Sequence, residues 1–233
     1  MHTHTIASGH AYNTVNEMVQ AAAACGLEIL GITEHAPAMP GTCSELYFTN
    51  LKALPREKNG IRVLYGAELN ILDFEGHVDL PEEILSQMEL CIASIHPPCF
   101  QGGSMEENTR AYLNVMKNPY VNIIGHPDDG RYPVDYRALA EGARAHGVLL
   151  EVNSSSLSPL SFREGAADNY RRMLGYCREF ETPIVIDSDA HVDIRVGDHA
   201  FAHSLLAEEN FPEELILNDK PQMLEKYLNS VKR

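Results

Sequence analysis

Two short motifs at opposite ends of the chain, His2-Thr-His4 and Asp189-Ala-His191, place ionisable side chains two residues apart. Side chains alternate faces along an extended segment, so residues at that spacing point the same way and can share one cation. Between the motifs stand His10, His35, Glu68, His96 and His126. Imidazole and carboxylate without thiolate suit zinc, and also manganese or iron. Taken singly, each residue says little, since an H-x-H tripeptide arises by chance and a lone histidine after a strand is more often a core or loop residue. Jointly they indicate a metal site, because polar groups gathered at converging strand ends need partners and a cation supplies one.

The gathering depends on the elements. Short apolar runs alternate with amphipathic stretches, which predicts successive βα units and a parallel sheet. Strands are expected over Ile29–Thr33, Ile61–Leu69, Leu90–Ser94, Val121–Ile124, Val148–Val152 and Ile184–Asp187, with His2–Thr5 as a truncated first strand. Thr14 and Glu17 form a capping-box pattern for a helix that Gly26 ends, and Gly147 ends a helix over Asp135–His146 in the same way. Further helices are expected over Met105–Met116, Asn169–Phe180, His199–Glu208 and Pro221–Val231. The fold class is therefore α/β, a seven-stranded βα barrel, with a two-layer open sheet as the alternative. His35, Glu68, His96, His126 and the Asp189/His191 pair each fall at or just after the C-terminal end of a different strand. In a βα barrel those ends share one face, where active sites of the architecture lie.

Length and composition fit one soluble domain over residues 1–233. No apolar run approaches the roughly 20 residues that span a bilayer. The start lacks a secretory pattern, so a cytoplasmic location is expected. The formal charge of −15 opposes nucleic-acid binding and requires a locally positive spot for any anionic substrate. Cys25, Cys43, Cys91, Cys99 and Cys177 show neither metal-ribbon nor disulfide spacing and are expected to be reduced packing residues.

The ordered series H-T-H near the start, G-I-T-E-H at 31–35, G-A-E-L-N at 66–70, S-I-H-P at 94–97, I-G-H-P at 124–127 and D-S-D-A-H at 187–191 resembles the PHP (polymerase and histidinol phosphatase) family. The nearest resemblance is to its YcdX-type phosphatase branch, and it spans essentially the whole chain. It implies a distorted seven-stranded barrel with a trinuclear site, usually described with zinc. One ion would take His2, His4 and Asp189, with Glu68 bridging to a second held by His96 and His126. The third would take His10, His35 and His191. Two departures stand out: the chain starts one residue before His2, which leaves the first strand short and its seam weakly tied, and Glu34 stands where the family commonly has Asp, which bears on the support of His35.

Three divalent ions against Glu68 and Asp189 would make the site strongly positive in an acidic chain, suited to a phosphate dianion. Metal binding lowers the pKa of water toward about 7, so a metal-bound hydroxide is the expected nucleophile and no protein nucleophile is needed. The expected activity is hydrolysis of a small phosphate monoester. Arg131, in the loop after His126, is a candidate for the substrate phosphate, and Asn153 with Ser154 to Ser156 for supporting hydrogen bonds. Metal and activity should fall together below about pH 6, because imidazole binds metal only when neutral. The rival readings are a histidinol-phosphatase-like or phosphodiesterase activity, a metal-dependent amidohydrolase and a non-catalytic metal-binding module. The amidohydrolase class often bridges its ions with a carboxylated lysine, and no lysine sits at a strand end here. Oligomeric state and the particular substrate are not encoded legibly.

Overall fold

The computed structural model describes residues 1–230. Six strands run parallel in the order β1 (Ile29–His35), β3 (Ile61–Asn70), β4 (Leu90–Ser94), β5 (Ile123–Ile124), β6 (Leu149–Asn153) and β7 (Ile184–Asp187), with β2 (Glu57–Lys58) antiparallel at β3. All six long apolar runs are strands, and β1 continues two residues beyond its expected end, to His35. The expected His2–Thr5 strand is reduced to one bridge, Thr3 with Ala190. That short segment nevertheless joins the two ends of the sheet: Thr33 N donates to Thr3 O and His4 N to Ala190 O, both at 2.9 Å. The sheet thus curls into a distorted barrel rather than lying open, and the seam is tied where the metal-site residues stand.

Local chemistry explains the elements. Helix α1 (Val15–Ala24) starts at the Thr14/Glu17 capping box. It ends with Gly26 N bonded to Ala23 O and Leu27 N to Ala22 O, which needs the left-handed φ of 76° that Gly26 adopts. Asp135 caps α5 (Tyr136–His146) through Arg137 N and Ala138 N. Short α2 (Glu45–Asn50) and α3 (Glu82–Leu85), unforeseen from sequence, follow β1 and β3. Helices α4 (Met105–Val115), α6 (Ala166–Phe180) and α7 (Ala200–Glu208) lie within three residues of expectation. Helix α8 spans Pro221–Ser230; the Val231 end expected for it lies outside the described residues.

Outward-facing side chains such as Val63, Cys91, Ala93 and Val152 pack with the helices in the larger core. Inward-facing residues change character along each strand. Leu64, Leu90, Ile92, Ile123, Leu149 and Val185 form a second apolar cluster with Leu224 and Leu228 of α8, which plugs the N-terminal end. Two to six residues further on, the same faces carry Glu68, Asn70, Ser94, Glu151, Asn153 and Asp187, all buried. An apolar floor thus supports a polar upper layer. Gly66 allows the close strand approach this requires, since a Cβ there would meet Leu90 O at 1.7 Å. All five cysteines are free of disulfides. No helix among the described residues is long and apolar enough to cross a membrane.

Candidate metal centre

Glu68, near the end of β3, stands at the middle of the polar layer. Its Oε2 lies 2.7 Å from His35 Nδ1, 3.3 Å from His2 Nε2 and 3.5 Å from His4 Nε2. Its Oε1 faces His126 Nε2 at 2.9 Å and His96 Nε2 at 3.1 Å. One carboxylate thus divides five histidines between its two oxygens. Asp189 Oδ1 stands 3.3 Å from His4 Nε2, 3.6 Å from His2 Nε2 and 3.5 Å from His191 Nδ1. His191 Nε2 and His10 Nε2 approach to 3.1 Å on the solvent side. All nine side chains singled out from sequence, His2, His4, His10, His35, Glu68, His96, His126, Asp189 and His191, are therefore brought together.

The spacings fit shared cations: two donors about 2.1 Å from a tetrahedral ion stand about 3.4 Å apart. Four trios have ligand atoms all within 4.8 Å of one another: His4, His35 and His191; His2, His4 and Asp189; His2, Glu68 and His126; His35, Glu68 and His96. The buried atoms His2 Nε2, His4 Nε2, His35 Nδ1 and Glu68 Oε2 lack any hydrogen-bond partner. Orphaned buried polar atoms are costly, and here the orphans all point at one another.

The far sides of the His2, His4 and His96 rings show which nitrogen keeps its lone pair when the imidazole is neutral. His2 Nδ1 donates to Glu151 Oε1 at 2.7 Å. Ser8 gives its hydroxyl proton to Glu34 Oε2, so its oxygen can only accept from His4 Nδ1, 3.0 Å away. Asn70 Nδ2 donates to Asp79 and to Ala36 O, which leaves Oδ1 to accept from His96 Nδ1 at 2.7 Å. In each case the proton is held away from the cluster and the inward nitrogen keeps its lone pair. Glu34 acts through Ser8 on two of these histidines: its carboxylate takes Thr5 and Ser8, and the Ser8 oxygen accepts from His4 Nδ1 and from His35 N.

Burial, followed by the neighbouring His35 and His191, holds His4 well below the ordinary imidazole pKa. Burial and then Arg163 lower His126 to about 3. Burial opposes ionisation of Glu68, yet His96, His2 and His35 keep its carboxyl well below the usual range. Two of the candidate ligands sit in left-handed backbone, His126 at φ 27° and Asp189 at φ 50°. Such strain persists where surroundings over-determine it: Glu151 Oε2 accepts from His126 N at 2.6 Å, and Asn153 Nδ2 and Arg163 Nη2 hold Asp189 Oδ2 at 3.0 and 3.3 Å.

The cluster floors a cavity of about 730 Å³. Two arginines line it: Arg195, and Arg163 from the loop after β6, with Nη1 also 2.8 Å from Ser156 Oγ. Arg131 does not line it: Asp129 engages its guanidinium at 2.5–3.0 Å and holds it in a tight local turn. Sequence reasoning named the arginine nearer a histidine and missed the one nearer Asp189 in space, because the 154–165 loop has no periodicity. Ser154 N and Ser155 Oγ bond Asp187 O and Ser188 O, tying that loop to β7. Glu151 was also missed, although a lone acid inside the apolar run Leu149–Asn153 is itself a signal of a buried partner.

Residues 1–159 match the PHP domain family. The chain is 40% identical over 229 residues to a probable phosphatase of Clostridium botulinum, covering 98% of this chain and 93% of that protein. It is 41% identical over 233 residues to a probable phosphatase of Caldanaerobacter subterraneus subsp. tengcongensis, covering 100% and 91%. Its fold is similar to that of a histidinol phosphate phosphatase from Lactococcus lactis, solved with zinc, L-histidinol and phosphate, at TM-score 0.64 and 20% identity over 91% of this chain and 93% of that one. The family match over residues 1–159 and the near-full-length similarity agree, and the chain belongs to the PHP domain family.

Proposed function

We propose that this chain is a metal-dependent phosphatase that hydrolyses small phosphate monoesters at a site for three divalent ions, zinc first, with manganese or iron as alternatives. The observation that carries the proposal is the division of five histidines between the two oxygens of Glu68. His2, His4 and Asp189 would hold one ion and His96 and His126 a second, with Glu68 between them. His10, His35 and His191 would hold the third, on the side open to the cavity. Bound divalent ions supply an activated water near neutral pH and stabilise charge on a transferring phosphoryl group. The protein's part is to hold the donor atoms inward, to keep His4 and His126 neutral by burial, and to keep Glu68 and Asp189 ionised. Arg163 adds a fixed positive charge at the cavity floor beside Asp189. The names of the full-length relatives and the zinc and phosphate in the Lactococcus protein support the assignment. The proposal takes residues 1–233 as one cytoplasmic domain.

The amidohydrolase alternative finds less support, because no lysine among the described residues lines the cavity and the carboxylate of Glu68 stands between the two sets of histidines. The test is phosphate release from an aryl phosphate, beside hydrolysis of a cyclic amide, by protein that has been chelated and then reloaded. Phosphate release lost on chelation and restored by zinc or manganese is expected. Amide hydrolysis in its place, or no turnover with any divalent metal, would overturn the proposal.

A further inference from the structure

The cavity is far larger than one phosphate needs, and its volume of about 730 Å³ falls within the range of organic-ligand pockets. Its walls differ from its floor. Met39 and Pro97 face it from one side, Leu160 and Phe162 from the loop after β6, and Phe201 from α7. Leu160 and Phe162 are 86% and 71% exposed, an apolar patch that solvent alone does not favour. Phe162 is not loose: the guanidinium carbons of Arg131 and Arg163 stand 5.3 and 5.6 Å from its ring centroid. Braced by two cations, its ring is held open beside the cavity.

The charged part of the wall is equally selective. Arg163 and Arg195 line the cavity, and so do two acids, Asp189 and Asp198. Asp189 is taken by Arg163 at 3.3 Å and Asp198 by Arg195 at 2.6 Å. An ammonium group on a substrate would find guanidinium cations and no uncommitted carboxylate.

From this, and resting on the phosphatase reading, we infer that the alcohol portion of the substrate is aromatic or apolar and carries no positive charge, with Leu160 and Phe162 as the residues that select it. The floor takes the phosphate, and the exposed rim takes the body of the leaving alcohol. Apolar contacts of this kind discriminate by roughly ten- to hundred-fold.

The test uses the zinc-loaded protein and three non-hydrolysable phosphonates, measured by calorimetry: benzylphosphonate, methylphosphonate and 2-aminoethylphosphonate. Benzylphosphonate should bind at least about tenfold tighter than methylphosphonate, and 2-aminoethylphosphonate more weakly than either. Leu160→Ala and Phe162→Ala, both at exposed positions that folding does not need, should bring the benzyl and methyl affinities together. Equal affinities in the parent protein, tightest binding of the amine, or a benzyl preference that survives both substitutions would overturn the inference. Phosphate release from phenyl phosphate is followed in parallel to separate the two claims. Turnover with flat phosphonate binding would sink the rim's role and keep the reaction, whereas a benzyl preference without turnover would keep the rim's selectivity and sink the reaction.

Discussion

Glu151 offers a direct probe of how the fold holds the metal ligands, because one carboxylate serves two of them. Its Oε1 takes the Nδ1 proton of His2 at 2.7 Å and its Oε2 takes the backbone proton of His126 at 2.6 Å. Glu151→Gln keeps the shape and leaves one oxygen for two donors. Either His126 N–H faces an amide NH2, or His2 Nδ1 does. In the second case the ring's proton moves to Nε2, the nitrogen that points at Glu68 and Asp189. Losing one buried charge-assisted hydrogen bond costs about 1.5–3 kcal/mol, which corresponds to roughly 10–100-fold in an equilibrium constant. Partners of metal ligands have the same range of effect on metal affinity, about 10–100-fold. The assay is competition for zinc against a chromophoric chelator, with thermal midpoints of chelated protein to separate ligand orientation from loss of fold. A variant that binds zinc as tightly as the parent would show that Glu151 merely fills space, and the reasoning about proton placement would be wrong.

Two further outcomes follow from the geometry. In chelated protein, burial keeps His4 and His126 neutral, the latter with a pKa of about 3, while the unfolded chain takes up both protons below about 6.5. Their contribution is complete above pH 6.5 and is lost as pH falls. His2 runs the other way: burial opposes its charge, but Glu68, Glu151 and Asp189 raise its pKa, so its contribution is present below 6.5 and lost as pH rises. His10 and His199 are lowered as well, while the raised carboxyls of Glu151 and Asp128 side with His2. With four lowered rings against these three groups, chelated protein should melt at a lower temperature at pH 5 than at pH 7.5, and a higher midpoint at pH 5 would refute the balance. Arg131→Ala removes a part-exposed ion pair with Asp129, so stability should change by no more than about 1 kcal/mol, with metal content unchanged and phosphate release unchanged for a substrate such as methyl phosphate that is too small to reach Phe162; a tenfold loss of that rate would return Arg131 to the phosphate.

Much of this site is legible in the sequence because strand ends are. The apolar runs at Ile61 and Leu90 end in Glu68 and just before His96, and parallel topology does the rest, since all such ends share a rim. What stays hidden depends on side chains that meet only in three dimensions. Nothing local tells that Glu34 reaches His4 and the His35 backbone through Ser8, or that Asn70 aims its oxygen at His96. Arg163 lies in a loop without period, and its value comes from Asp189, 26 residues away. The short elements β2, α2 and α3 are missed for a related reason: two to six residues are too few to show a period. The seam was misjudged because strand length was weighed, whereas two backbone hydrogen bonds at Thr3 and His4 suffice to tie it.

The measurement that bears most directly on the whole is elemental analysis of the purified chain beside Glu68→Ala, each dialysed against zinc and then freed of excess. Three divalent ions per parent chain are expected, with at least two lost together when the bridging carboxylate is removed, and phosphate release lost with them. A parent that holds no divalent metal, or a variant that keeps its full complement, would contradict the claim that these imidazoles and acids exist to gather cations.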